Sequence, residues 1–176
     1  MTEERYELAL DRIRLMQTED TVGEPYRDYF KKMAEFVLML DELRTELLDG
    51  RYQKLELDEL RKWNRRLYQD VLPGQYEKSY ANPDYACKML GKESGQILGM
   101  LYAELRGAVV YVFEGKTEYL AILYELLIEV YNQFEEEPDP KAAGIRSTGM
   151  PVITVMYSLR TASGSRFCRR SHLQQI

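Results

Sequence analysis

The stretch EPYRDYFKKMAEFVLMLDELRTELLDG, residues 24–50, decides the fold of this chain. Pro25 suits the first turn of a helix, and Gly50 suits the position where a helix ends. Between them an apolar side chain recurs at every third or fourth position, which is the period of one helix face. The recurring residues are Tyr26, Tyr29, Phe30, Met33, Phe36, Val37, Leu40, Leu43 and Leu47. The stretch therefore predicts a long amphipathic helix that forms the spine of a helical domain.

The same period continues on both sides of residues 24–50. Thr2 is predicted to cap a first helix that ends near Thr18. Its inner face is expected to carry Tyr6, Leu10, Ile13 and Leu15-Met16. A shorter helix is predicted from about Asp58 to a stop at Pro73-Gly74, followed by a loop. Its inner face is expected to carry Leu60, Trp63, Leu67 and Tyr68.

Three further helices are predicted in the second half of the chain. Asn82-Pro83 favours a helix start, because Asn can accept from orphan amides and Pro has no amide to orphan. Residues 94–113 contain only two charges, so they predict a central helix surrounded by its neighbours. Gly115 suits a C-terminal cap and Thr117 an N-terminal cap of the last helix. The inner face of that helix is expected to carry Leu120, Leu123, Tyr124, Leu127, Tyr131 and Phe134.

The chemistry of the chain changes at Pro138-Asp139-Pro140. All 29 acidic residues lie at or before Asp139, and residues 1–140 carry a net charge of −11. Residues 141–176 contain no acid and carry a charge of +6. The sequence therefore predicts an all-α bundle of about five or six helices over residues 1–137, with no strand, and an irregular basic tail over residues 138–176.

Composition excludes several classes of function. No stretch of about 18 uninterrupted apolar residues is present, so we expect no membrane span. The acidic N-terminus does not resemble a signal peptide, and Cys87 and Cys168 are expected to be free thiols, so the cytoplasm is the expected location. A charge of −11 on the helical region disfavours nucleic acid as a partner.

Ionisable residues with the spacing of a catalytic or metal site are scarce. His172 is the one histidine and has no partner histidine, and no Glu-x-x-His pair is present. Glu125 and Glu129 are one helical turn apart, a spacing that suits metal ligation but is more often a solvated edge. We therefore predict no catalytic, cofactor-binding or metal-binding residue in this chain.

Two polar features favour a structural role over a functional one. Glu104 and Arg106 point in different directions on one helix, so each is expected to find a partner on another helix if it is buried. Structural pairing is favoured over catalysis for both residues. Thirteen of the 14 tyrosines precede residue 138, and core packing is favoured for them over a peptide-binding groove, which stays open.

Several phrases of the sequence resemble one protein family over residues 4–137. They are RYELALDRI, EPYRDYFKKMAEFVLMLDEL, WNRRLYQDVLPGQYEKSYANPDYACKMLG, LYAELRG with FEG, and LLIEVYNQFEEE. These stretches resemble the N-terminal helical region of Firmicutes-type leucyl aminopeptidases of the aminopeptidase T (thermophilic metallo-aminopeptidase) family. SYANPDYA and LYAELRG are the most specific of them.

The resemblance implies an accessory role for this chain. In that family two divalent metal ions, held by Glu, His and Asp residues of a C-terminal catalytic domain, remove N-terminal amino acids from peptides. None of those ligand positions exists in this sequence. The resemblance therefore implies a truncated N-terminal domain, inactive alone, whose partner is the missing aminopeptidase domain. A stand-alone module that binds a peptide or protein, and a domain for self-association, stay open as alternatives.

The basic tail has an explanation at the level of the gene. Reading the codons of residues 147–167 out of register permits YWYASDYCDVFLADRIREQI, an amphipathic string that resembles the family's continuation. We therefore expect a one-base insertion or a two-base deletion, real or a sequencing error, near residues 145–147. The alternative is a genuine basic extension that binds an acidic surface.

Overall fold

The computed structural model describes residues 1–50, 57–71 and 75–136, and these residues form an all-α fold without a strand. The α-helices are α1 (Thr2–Thr18), α2 (Tyr26–Leu48), α3 (Leu57–Arg65), α4 (Pro83–Leu90), α5 (Lys92–Gly107), α6 (Val109–Phe113) and α7 (Thr117–Glu136). Ala108 alone separates α5 from α6, so the two form one helical run and the number of helices becomes six. The predicted all-α class is confirmed. The predictions for Pro73-Gly74 and for the tail from 138 onward lie outside the described residues.

Helix α2 is the centre of the bundle, as its predicted role of spine requires. It contacts α1, α5, α6 and α7, because apolar side chains cover more than one of its faces. Hydrogen bonds of Arg5 to Glu125 and of Arg12 to Asn132 show that α1 and α7 run parallel, each antiparallel to α2. All of the stripe residues predicted for α2 are buried except Leu47, which is half-buried.

Residues 94–113 are less central than predicted. Ten of these positions are buried, but α5 packs mainly against α4, and Gln96, Gly107 and Phe113 are exposed. The α5–α6 run Lys92–Phe113 is long and apolar enough to cross a membrane by length and composition, a criterion that core helices of soluble proteins also meet. In its most apolar 18-residue window, 44% of the residues are buried inside the protein.

The structure corrects two predicted caps and confirms two others. Thr2 and Thr117 are the first residues inside their helices, because the carbonyls of Met1 and Lys116 already accept the first helical hydrogen bonds. Asn82 caps α4 as predicted, and its side chain accepts from the amides of residues 84 and 85. Gly115 has the positive φ of +65° that a helix C-terminus favours. Leu15 is 55% exposed and does not belong to the inner face of α1.

The periodicity of the sequence does not reveal the π-helical turn Arg66–Val71, which continues α3. In this turn Leu67 is buried, and the Tyr68 hydroxyl donates to the carbonyl of Arg106 at 3.1 Å. Arg66 lies over the Trp63 ring and binds Glu42 of α2 at 2.8 Å. A wider turn changes which side chains share a face, so a pattern read at 3.6 residues per turn misses it.

Two glycines allow α5 to lie close to α4. A Cβ atom on Gly95 would lie 2.6 Å from the backbone of Ala86 and Cys87. A Cβ atom on Gly99 would lie 2.9 Å from the carbonyl oxygen of Tyr80. Between α4 and α5, Gly91 adopts a φ of +83° that side chains rarely accept. The close helix contact therefore depends on the absence of side chains.

Candidate functional site

Charged side chains of α1, α2 and α7 bind one another. We call the region around Arg44 and Arg12, where these contacts lie, the charged interface. Near the start of α7, the Arg44 side chain is 11% exposed and lies 4.2 Å from the centroid of the Tyr6 ring. Its guanidinium donates to the Glu3 carboxylate and, at 3.4 Å, to the Thr117 hydroxyl. Arg44 therefore connects three helices at once.

Two tyrosine hydroxyls lie beside Arg44 in the charged interface. The Tyr6 hydroxyl donates to Asp41 at 2.9 Å. Burial raises the pKa of Tyr6 well above its usual value, and the nearby Tyr124 and Asp41 raise it further. The Tyr124 hydroxyl is buried near Tyr6 but outside hydrogen-bond geometry, with no other partner among the described residues, and burial raises its pKa too. Both phenols therefore stay protonated at neutral pH and serve packing.

The opposite end of the charged interface repeats the pattern around Arg12. Its guanidinium donates to Glu19 at 2.8 Å, to Glu135 at 3.2 Å and to Asn132 at 3.4 Å. The Tyr131 hydroxyl lies 2.8 Å from the Thr21 hydroxyl, and the centroid of the Tyr131 ring lies 5.4 Å from the same guanidinium. These groups bind one another across α1, α7 and the loop between α1 and α2.

The residues singled out in the sequence do not come together in one site. Glu125 binds Arg5 of α1 at 2.6 Å, whereas Glu129 is exposed. Glu104 and Arg106 are both half-buried, and the Arg106 guanidinium lies 5.3 Å from the Tyr68 ring centroid. Arg106 thus reaches another helical segment as expected, but through an aromatic face rather than an acid.

Cys87 does not belong to a group of possible metal ligands within the described residues. Cys87 is free and half-buried, and its thiol lies 3.5 Å from the carbonyl of Lys92. Among the residues the structure describes, no group of three or more His, Cys, Asp and Glu side chains could hold a metal ion. His172 and Cys168 lie outside them.

Several tyrosines pack inside the bundle, as the favoured interpretation predicts. Tyr29 is fully buried, and its hydroxyl donates to the carbonyl of Leu98 at 2.7 Å. The Tyr80 ring contacts those of Tyr29, Tyr85 and Tyr102 at centroid distances of 5.3–5.7 Å. Burial raises the pKa values of Tyr29, Tyr80 and Tyr102. The tyrosine content therefore reflects core packing.

A surface cleft of about 540 Å³ lies where the start of α2 meets the junction of α4 and α5. We call it the Gly91 cleft, and its walls come from residues 24–26 and 89–94. The Tyr26 hydroxyl holds these two segments together through the carbonyl of Leu90 at 2.7 Å. A glycine caps α5, so no side chain occupies its first amides. Sequence reasoning missed this cleft, and its only local signal is Gly91-Lys92 before an apolar run.

A smaller cavity of about 300 Å³ lies between the end of α2 and the α6–α7 corner, and the partly exposed Leu48 and Phe113 border it. Comparison with protein-family models, with curated proteins and with solved structures finds no match to this chain.

Proposed function

We propose that residues 1–137 are a helical accessory domain of a metal-dependent aminopeptidase and are inactive alone. In this proposal the two divalent metal ions, and the residues that bind them, belong to a separate catalytic domain. That domain is the proposed partner. A cytoplasmic location belongs to the same proposal, and the free thiol of Cys87 supports it.

The observation that carries the proposal is the use of charge in the bundle. Arg5, Arg12 and Arg44 bind acids of neighbouring helices, so these ionisable groups hold helices together instead of converging on a substrate. Such pairing supports a scaffold or docking role rather than catalysis. The choice of aminopeptidase rests on the resemblance of residues 4–137, with SYANPDYA and LYAELRG as its most specific parts.

An assay of the purified chain tests the claim of inactivity. The chain is incubated with leucine p-nitroanilide and Zn²⁺ or Co²⁺, beside an active metallo-aminopeptidase as a positive control. We expect no release of p-nitroaniline above that of the metal ion alone. Metal-dependent turnover by the chain itself would contradict the proposal.

The nucleotide sequence tests the proposed parent. We expect the gene, read beyond codon 140 in the other frame, to encode the helical string given above and then an aminopeptidase domain with Glu, His and Asp ligands. A gene that encodes no such domain in any frame would leave a stand-alone module as the better description.

Self-association is the second candidate function, and one surface favours it. Leu8 and Leu15 of α1 and Met1 directly before it lie seven residues apart and are 65%, 55% and 99% exposed. A stripe at this spacing is typical of helix surfaces that dock on another helix. Light scattering after size exclusion, with Leu8→Gln/Leu15→Gln as the variant, tests whether the stripe joins copies of the chain. A monomeric mass for the unmodified chain would reject this candidate.

A further inference from the structure

The exposed face of α1 carries a short repeat in the sequence. Residues 4–8 read ERYEL and residues 11–15 read DRIRL, so an acid, an arginine and a leucine recur at the same spacing, seven residues apart. Leu8 and Leu15 are both more than half exposed, although the opposite face of the helix is buried. Leucines at this spacing are typical of the seam along which two helices pair. We call this surface the leucine face of α1.

The charges on the two sides of the leucine face differ in sign. On an α-helix, the residues three and four positions before a leucine lie on opposite sides of it. Glu4 and Asp11 stand four positions before the two leucines, and Arg5 and Arg12 stand three positions before them. The leucine face therefore has an acidic edge, Glu4 and Asp11, and a basic edge, Arg5 and Arg12.

The charged groups of both edges are accessible to a partner. Glu4 is exposed and makes no ion pair among the described residues. Asp11 is exposed and binds Arg14 of the same helix. Arg5 and Arg12 bind acids of α7, but 49% and 27% of their side chains stay exposed. A second acid can therefore approach each arginine of the basic edge from outside the bundle.

The two edges select the relative orientation of two copies of α1. In a parallel pair whose two-fold axis runs along the helices, the acidic edge of one copy lies against the basic edge of the other. Glu4 then lies opposite the partner's Arg5, and Asp11 lies opposite the partner's Arg12. In an antiparallel pair, acidic edge meets acidic edge and basic edge meets basic edge, so like charges repel. The leucine face is therefore complementary to itself when the two helices run parallel.

We propose that α1 pairs in parallel with α1 of a second copy of this chain. Leu8 and Leu15 pack on the same leucines of the partner, and the two edges form ion pairs across the interface. Helix α1 is already ordered by its contacts with α2 and α7, so pairing costs little conformational entropy. The contact involves one helix of 17 residues, which buries less surface than most stable interfaces, so the dimer should dissociate at micromolar concentrations. This inference rests on self-association, the second candidate function.

Sedimentation equilibrium of the full-length chain over a range of micromolar concentrations tests the pairing. We expect a monomer–dimer equilibrium. Glu4→Lys/Asp11→Lys should raise its Kd about tenfold or more, because lysines then face the basic edge of the partner. Glu35→Lys/Glu77→Lys is the matched control, since it changes the net charge equally at exposed acids outside α1. It should leave the Kd unchanged or lower it, because the chain becomes less negative. An unchanged or lower Kd in Glu4→Lys/Asp11→Lys would overturn the proposal.

Disulfide cross-linking separates the parallel pair from other dimers. Leu15→Cys is made in a Cys87→Ser/Cys168→Ser background and oxidised. A parallel pair brings the two copies of position 15 within reach of a disulfide, whereas an antiparallel pair places them at opposite ends of the contact. Gln17→Cys is the matched control, because Gln17 is exposed on another side of the same helix, and it should not cross-link.

The outcomes distinguish this inference from self-association in general. A dimer that does not cross-link through Leu15→Cys, or that cross-links equally through Gln17→Cys, would overturn the parallel pairing of α1 and leave self-association through another surface. A chain that stays monomeric at every concentration would overturn both.

Discussion

The charged interface and the Gly91 cleft use polar side chains in opposite ways. In the charged interface, Arg12 and Arg44 each bind acids of other helices and lie over tyrosine rings. In the cleft, Lys92 and Glu93 are exposed and make no ion pair within the described residues.

The two regions therefore separate charged side chains that stabilise the bundle from charged side chains that do not. A half-buried charge with several partners helps to hold the helices together. When it is removed, its partners stay partly buried without an opposite charge. An exposed charge without partners contributes little to folding, so it is free to contact a ligand. The free energy of unfolding should therefore depend more on the charges of the charged interface than on those of the Gly91 cleft.

The largest expected effect is loss of stability at alkaline pH. Burial raises the pKa values of Tyr6, Tyr29 and Tyr124 in the folded chain far above the usual value near 10. Above about pH 10 the unfolded chain releases these protons and the folded chain does not. The free energy of unfolding is therefore highest below pH 10 and falls as the pH rises above it. Each such tyrosine lowers the free energy of unfolding by about 1.4 kcal/mol per pH unit. Urea unfolding measured between pH 8 and 11 checks this prediction.

Substitution assigns part of this slope to the charged interface. In the Tyr6→Phe/Tyr124→Phe variant, the free energy of unfolding should fall less steeply with pH above 10, because two of the protons no longer contribute to the slope. Glu93→Gln in the Gly91 cleft is the control and should leave the slope unchanged. A double variant with the original slope would mean that these two phenols ionise in the folded state.

A smaller effect is expected where α4 meets α5 without charged groups. Gly95→Ala places a Cβ atom 2.6 Å from the backbone of Ala86, and the two helices must separate. We expect a loss of about 1–3 kcal/mol in the free energy of unfolding, despite the better helix propensity of alanine. Gly107→Ala is the matched control in the same helix, since its Cβ atom would meet nothing within 4 Å. That variant should be neutral or slightly stabilised, and equal losses in both would contradict the close contact.

Periodicity in the sequence was sufficient to predict the helices and most of their inner faces. The stripe of α7, from Leu120 to Phe134, is buried as predicted, because a 3.6-residue repeat reports directly on one helix face. The π turn at 66–71 was missed because it departs from that repeat. The Thr2 and Thr117 caps were wrong because a suitable residue type does not fix where the first helical hydrogen bond forms.

The candidate site was much less accessible to prediction than the fold. The Gly91 cleft brings residues 24–26 beside 89–94, and no local pattern encodes contacts between segments that far apart. The partner of Glu125, Arg5 of α1, could not be predicted for the same reason.

A still smaller effect is expected from the Asn82 cap of α4. Asn82→Ala removes the acceptor for the amides of residues 84 and 85 and should cost about 1 kcal/mol. Asn82→Gly, which leaves those amides accessible to water, should cost only a few tenths of a kcal/mol. Thermal unfolding of the two variants side by side checks this difference. Equal costs would mean that the Asn82 side chain does not cap α4.

Chemical denaturation of Arg44→Met and Lys92→Met tests most directly whether the two regions have separate roles. Arg44→Met removes the hydrogen bonds to Glu3 and Thr117 and the contact with the Tyr6 ring. It should lower the free energy of unfolding by about 1–2 kcal/mol. Lys92→Met should change it by less than about 0.5 kcal/mol. Equal losses, or a larger loss for Lys92→Met, would contradict the division between an interface whose charges stabilise the bundle and a cleft whose charges do not.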